Sequence, residues 1–437
     1  KNNNSSSLIP SKISEVKSLN VIKSEKSHEE IVKEKLQAKI SQMEHALSQT
    51  PTIKELANKS DKKSSKLDLD YVINYDYSNI NKILANNSID NLSSIEKYDF
   101  KNILLVGATG YLGVHLIKSF LETYTGKVYC LVREKNNISP EQRLKGLLEF
   151  YFGTKFFTNY KNRICILEGD LTKKDLGLSK EDYYTLSNNV DVVINSGALV
   201  KHYGAIETFE TTNVKGTQNV VDFCVKEHKR LLHISTVSVS GNGMKSKDIS
   251  LANQKIYKES NLYIGQNLDS VYAYTKFKAE MIVLNSILDG LDASILRIGN
   301  IASRYSDGMF QKNVEDNAFV KRFKSFIEIG AIPKYSLEHE LEFTPVDLCA
   351  DAVISILGYK SCCNVFHIYD TNLLPIKELL NILESIGIEI TPISNRLMAD
   401  VITGILEDNS RKDILSGIIY DLDENKNLIY TSDILLN

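Results

Sequence analysis

Asn102-Ile-Leu-Leu-Val-Gly-Ala-Thr-Gly-Tyr-Leu-Gly113 is an apolar run, too short to span a membrane, that stops at Gly107 and continues through glycines at three-residue spacing. Gly107, Gly110 and Gly113 stand where a buried strand would turn sharply into a helix, the pattern of a dinucleotide phosphate loop. Glycine permits the tight turn, lets backbone N–H groups approach a pyrophosphate, and lets a helix starting near Tyr111 pack on the strand. The N-terminus of that helix then faces the negative charge. A second strand, Lys127-Val-Tyr-Cys-Leu-Val132, ends at Arg133. This lies about twenty residues past the last glycine, where such folds read the adenosine ribose. An acidic residue there would accept from a 2′-OH, whereas Arg133 suits a 2′-phosphate, so NADPH is expected rather than NADH.

Working outward, strand-like runs near 102–106, 127–132, 163–167, 190–194, 231–235 and 293–297 alternate with helical stretches. The expected fold is α/β, a Rossmann-type doubly wound parallel sheet that binds its ligand at the carboxyl ends of the strands. Those ends carry Gly169-Asp170-Leu171, Asn195-Ser196-Gly197-Ala198, Ser235-Thr236 and Arg297-Ile-Gly-Asn300. Beyond Asn300 the strand pattern fades, which predicts a smaller, mostly helical domain over 301–437, with helices at 376–386 and 396–406. Asp347 is expected to cap a helix. Residues 67–300 are assigned to nucleotide binding. Residues 1–66 contain no Phe, Tyr or Trp and are expected to be a flexible linker without an independent core. Within them Val32, Leu36, Ile40, Met43 and Leu47 form one helical apolar stripe.

A formal charge of -3 on 437 residues gives no bulk polarity that calls for nucleic acid or a membrane surface, and 43% hydrophobic content suffices for a core. The six cysteines (130, 165, 224, 349, 362 and 363) show no CxxC and no metal-ligand spacing. They read as buried thiols of a reducing cytoplasm. No metal is expected, and no run approaches the ~20 apolar residues of a spanning helix.

The chemistry centres on Ser270-Val-Tyr272-Ala-Tyr-Thr-Lys276, at the start of a helical pattern. Tyr272 and Lys276, four apart, share one helix face. A phenol is a weak acid at neutral pH, and an adjacent ammonium is expected to lower its pKa. Such a pair can donate a proton to an oxygen as hydride arrives at its carbon. Thr236 or Ser235, at the end of an apolar strand, can donate to the same oxygen.

Taken together, Leu104–Gly113, Cys130-Leu-Val-Arg133, Gln142-Arg143-Leu144, Gly169-Asp-Leu171, Asn213-Val-Lys-Gly-Thr217, Ile234-Ser-Thr236 and Arg297-Ile-Gly-Asn-Ile301 resemble the extended short-chain dehydrogenase/reductases. The closest likeness is to the terminal thioester reductase domains of nonribosomal peptide synthetases and carboxylic acid reductases, from about Leu67 to the C-terminus. The resemblance implies that Gly107, Thr109, Gly110, Tyr111, Leu112, Gly113, Asp170 and Leu171 hold the dinucleotide, with Ser196, Gly197 and Ala198 approaching it closely. It implies that Arg133 and Arg143 clamp the 2′-phosphate. Thr236, Tyr272 and Lys276 would form the catalytic triad, Lys276 also bonding the nicotinamide ribose, and Asn300 would lie beside the nicotinamide and substrate. The implied activity is NADPH-dependent release of a peptidyl or acyl thioester from a carrier protein's phosphopantetheine arm, as aldehyde or on to alcohol. The chain would be a monomeric domain of a larger cytoplasmic synthetase.

Two departures stand out. Ser196-Gly197-Ala198 replaces the usual Ala-Ala, and Lys201 precedes His202 where the family would carry Asn. Pro51–Ala57 is similar to the closing helix of a carrier domain, but no attachment-serine motif occurs in residues 1–50. The rival readings are a nucleotide-sugar epimerase or dehydratase of the same extended class, against which Arg133 and Arg143 speak, and a non-catalytic NADP-sensing protein, which needs no Thr236, Tyr272 and Lys276 together.

Overall fold

A computed structural model describes residues 67–85, 96–201, 204–241, 256–314, 317–360, 364–408, 411–418 and 435–436. The linker, the apolar stripe at 32–47 and the carrier-like helix at 51–57 lie outside the described residues.

Seven parallel strands make the central sheet. They are β1 (Ile103–Val106), β2 (Val128–Val132), β3 (Ile164–Glu168), β4 (Val192–Asn195), β5 (Arg230–Thr236), β6 (Ala293–Ile298) and β7 (Val365–Ile368), in the spatial order β7-β6-β5-β4-β1-β2-β3. β1 is buried along its whole length because both of its faces are covered. Leu104 and Val106 pack into one apolar cluster, and Ile103 and Leu105 into another on the opposite face. The first cluster includes residues of α3 (Gly216–Lys226) and α4 (Val271–Leu288), and the second those of α1 (Tyr111–Thr123), α2 (Pro140–Phe152) and α6 (Val346–Leu357).

The winding reverses beside β1, which pairs with β2 on one side and β4 on the other. Register aligns Val106 with Leu131 and with Asn195, so the segments after these strands open onto one edge of the sheet. This is the switch-point crevice in which doubly wound folds bind ligands. The seventh strand escaped the sequence pattern. Val365-Phe-His-Ile368 is four residues long, sits at the sheet edge and contains a histidine, so neither length nor alternation marks it.

Beyond β6 the chain carries α5 (Ala318–Ile329), α6, α7 (Ile376–Ser385) and α8 (Asn395–Glu407), interleaved with short strand pairs such as Ala331–Pro333 with Thr391–Ile393. α7 and α8 match the expected helices. Pro345, not Asp347, occupies the N-cap of α6. Asp347 instead turns its carboxylate to the backbone N–H groups of Tyr305 at 2.8 Å and Ser306 at 3.1 Å, so it ties a loop rather than capping the start of its own helix. Among the described residues no helix is long and apolar enough to cross a membrane.

Candidate active site

At Gly107 and Gly113 the glycine loop is packed too closely for any larger residue. Gly107 has φ +88°, and a Cβ there would lie 2.6 Å from the Ser196 carbonyl carbon and 2.7 Å from the Gly197 nitrogen. A Cβ on Gly113 would stand 2.2 Å from the Gly107 carbonyl oxygen. The backbone of α1 is therefore pressed onto the loop, and its N-cap, Gly110, brings no side chain to its free N–H groups. Those N–H groups and the helix dipole form a cradle suited to a pyrophosphate. Thr109, Tyr111 and Leu112 flank it, all half-buried. The Tyr111 hydroxyl donates to Met309 O at 3.0 Å, and His115, one turn on, bonds Tyr111 O through Nδ1 while its buried Nε2 has no partner.

At the end of β2 two arginines come together. Arg143 of α2 donates from Nη1 to the Arg133 carbonyl, and Arg133 lies 3.7 Å from Asp170 Oδ2 at the end of β3. Burial and then the charge of Arg133 pull the Arg143 pKa below its usual value. The Asp170 carboxylate also receives the Thr172 N–H and hydroxyl. Leu171 packs beneath Gly197 and Gly216. Asn213 fixes the next loop: its side chain accepts from Leu199 N at 2.7 Å and donates to Leu199 O and to Thr275 Oγ1 of α4, each at 3.1 Å.

The hydroxyl groups gather on the far side of that loop. Thr236, ending β5, shares a hydrogen bond with the Tyr272 phenol of α4. Ser235 is diverted: its hydroxyl donates to Glu280 Oε1 at 2.5 Å. The Tyr274 hydroxyl donates to Asp68 O at 2.9 Å, which removes it from the site. Part of Tyr272 reaches solvent, but its hydroxyl lies deep.

Here the expectation about the phenol is corrected. Burial pushes the Tyr272 pKa up to about 12, and only the Thr236 hydrogen bond opposes it. Lys276 does not offset the burial, because its Nζ donates to Ile234 O at 2.7 Å and faces His233 Nε2 at 3.4 Å. Burial pulls Lys276 itself down to about 8, against the attraction of Glu280.

Two polar groups here, Glu280 and His233, were given no role by the sequence reading. Glu280, one turn after Lys276, is fully buried and paired with Arg297 at 2.8 Å. Arg297 also donates to Asn261 O at 2.9 Å. His233 stands between Leu232 and Ile234 in a strand buried along its whole length, and that placement was the available signal. Asn300 is exposed; its backbone N–H donates to Glu342, whose pKa is raised by burial. Lys201 is exposed, and His202 lies outside the described residues. No cluster of His, Cys, Asp or Glu among the described residues could hold a metal ion.

Comparison with known proteins follows the same lines. The sequence model of an NAD-binding family described as male sterility protein matches residues 105–353, more than half of the chain. A solved thiolation-reductase di-domain from an archaeal nonribosomal peptide synthetase superposes with a TM-score of 0.72 at 31% identity, covering 84% of this chain and 77% of that one. A linear gramicidin synthase polypeptide of Brevibacillus parabrevis is 26% identical over 315 residues, 72% of this chain. L-2-aminoadipate reductase of Saccharomyces cerevisiae is 29% identical over 267 residues, 58% of this chain. The chain spans only 6% and 18% of the lengths of those two relatives.

Proposed function

We propose, from the premise that this chain belongs to the NAD-binding family described as male sterility protein and groups with the reductase domains of nonribosomal peptide synthetases, that it reduces a carrier-bound thioester with NADPH. The observation that carries this reading is the hydrogen-bonded Thr236–Tyr272 pair on the ligand edge of the sheet, with Lys276 one turn along the same helix. Thiolation and reductase units adjoin in the archaeal relative, which supports a carrier protein as the partner that presents the substrate.

The cofactor fits the residues present. The α1 N-terminus would hold the pyrophosphate, Arg133 and Arg143 a 2′-phosphate, and Ser196–Ala198 would lie against the dinucleotide beside Gly107. When bound, NADPH supplies a hydride to the thioester carbonyl carbon. Thr236 and Tyr272 hold the carbonyl oxygen by hydrogen bonds, favouring the charge that develops there. Tyr272 then gives its proton to that oxygen. A phenol raised to about 12 is a firm proton holder, so this delivery is eased when the Lys276 ammonium turns from Ile234 O toward the tyrosine and the cofactor ribose. The hemithioacetal next loses its hydroxyl proton, its C–S bond breaks, and the sulfur leaves as thiol, releasing an aldehyde. A second hydride and proton would give the alcohol. We assign residues 67–300 to the cofactor and 301–437 to the substrate and carrier.

The test follows NADPH absorbance with an acyl thioester loaded on a phosphopantetheinylated carrier, with mass analysis of the released product. NADPH loss with aldehyde or alcohol release is expected, and Tyr272→Phe is expected to lower kcat by about 100-fold or more. A Tyr272→Phe protein that consumes NADPH as fast as the wild type would overturn the reading.

A further inference from the structure

A line of hydrogen bonds runs beneath the candidate site from the Ser196–Ala198 loop to Lys276. The Gly197 N–H donates to Asn195 Oδ1 at 3.2 Å, the Asn195 amide nitrogen faces His233 Nδ1 at 3.3 Å, and His233 Nε2 faces Lys276 Nζ at 3.4 Å. One end fixes the sense of the whole. A backbone N–H can only donate, so Asn195 must offer its oxygen to Gly197; the flipped amide would set one donor against another. The Asn195 nitrogen then donates to His233 Nδ1, which therefore carries no proton. His233 is fully buried, and burial, the largest cause, holds it neutral, well below its usual 6.5. Its single proton must sit on Nε2, aimed at Lys276. An ammonium has no lone pair to receive that N–H, and an amine has one. The second bond of Nζ, to Ile234 O at 2.7 Å, suits either form.

We infer that His233, its tautomer set from Gly197 through Asn195, is a positioning residue that favours the amine form of Lys276 and so links the lysine's charge to the cofactor loop. The inference rests on the proposed roles of Lys276 and of the Ser196–Ala198 loop. The titratable and charged groups around the lysine are Tyr272 and Glu280 on its own helix and His233 on β5. Beyond Glu280 lies Arg297 of β6, with Tyr257 against its guanidinium. Glu280 favours the ammonium, but its carboxylate is shared with Arg297 at 2.8 Å and with the Ser235 hydroxyl. The His233 N–H acts in the same direction as burial, which draws Lys276 toward neutrality.

Two measurements test this. In protein labelled with 15N-histidine, the ring nitrogens of His233, assigned through its contacts with Ile234, should show a proton on Nε2 and a bare Nδ1. A proton on Nδ1 would overturn the inference. The second is the pH profile of kcat for NADPH oxidation in the wild type and in His233→Gln. A glutamine amide can turn its oxygen to an ammonium, so the alkaline limb should move up by about 0.5 units or more. An unmoved limb in a variant with wild-type thermal unfolding would also overturn it. Should the wild type oxidise no NADPH, the reductase reading fails, while the 15N spectrum still decides the tautomer.

Discussion

Arg133 and Arg143 show what a residue-level reading can and cannot deliver. Their type and position point to a 2′-phosphate, and the fold brings the two together at the end of β2 with Asp170 at 3.7 Å. A charge-assisted bond contributes about 1.5–3 kcal/mol, so Arg133→Ala or Arg143→Ala is expected to raise KM for NADPH by about tenfold or more. Activity with NADH should change little; equal losses with both cofactors would remove the phosphate-clamp role. The Tyr272–Lys276 spacing was equally legible, since residues four apart on a helix are neighbours. The sign of the tyrosine's pKa shift was not. It depends on burial of the hydroxyl and on Lys276 choosing Ile234 O, neither of which is encoded locally. His233 stood out only by its place between apolar neighbours; its importance comes from β4 and α4 meeting it, which the sequence does not encode locally.

At the level of elements, six of the seven strands were readable because each is a short, fully or largely apolar run closed by turn or polar residues. β7 was not, being a four-residue edge strand with a histidine at its third position. The loop between β1 and α1 makes a sharp demand on sequence. Gly113→Ala would drive a Cβ to 2.2 Å from the Gly107 carbonyl oxygen, forcing α1 away from the strand. Overpacking of this kind costs about 1–3 kcal/mol. A lower urea midpoint together with weakened NADPH binding, read by the fluorescence of the bound nicotinamide, is expected; unchanged values for both would mean that the close approach is not needed. Asp347 is the counter-case: its type suggested a cap, and only the fold reveals that it anchors residues 305 and 306.

At the scale of the whole molecule, the buried imidazoles of His115 and His233 set a pH dependence. Burial depresses the pKa of both His115 and His233 below 6.5. The unfolded chain therefore binds more protons than the folded one below that value. Stability is fully present above about pH 6.5 and is lost as pH falls from there toward the folded-state values, at up to about 1.4 kcal/mol per pH unit for each group. Urea unfolding at pH 7.5 and 5.5 should give a lower midpoint at the acid end, and His115→Phe should shrink the difference. Identical slopes in variant and wild type would mean that His115 is protonated without cost.

The seventh strand carries a final consequence. Because β7 pairs with β6 and arrives only after residues 299–364, that stretch is stapled to the sheet at both ends. A chimera that exchanged everything after residue 300 as a cassette would take with it the strand that covers Ile295–Ile298. Where the incoming strand pairs poorly, the unpaired N–H and C=O groups along β6 would be open to another copy, inviting clumping instead of a new specificity. Junctions placed on both sides of the 299–364 excursion, with β6 and β7 kept from one parent, preserve the sheet while the intervening sequence varies.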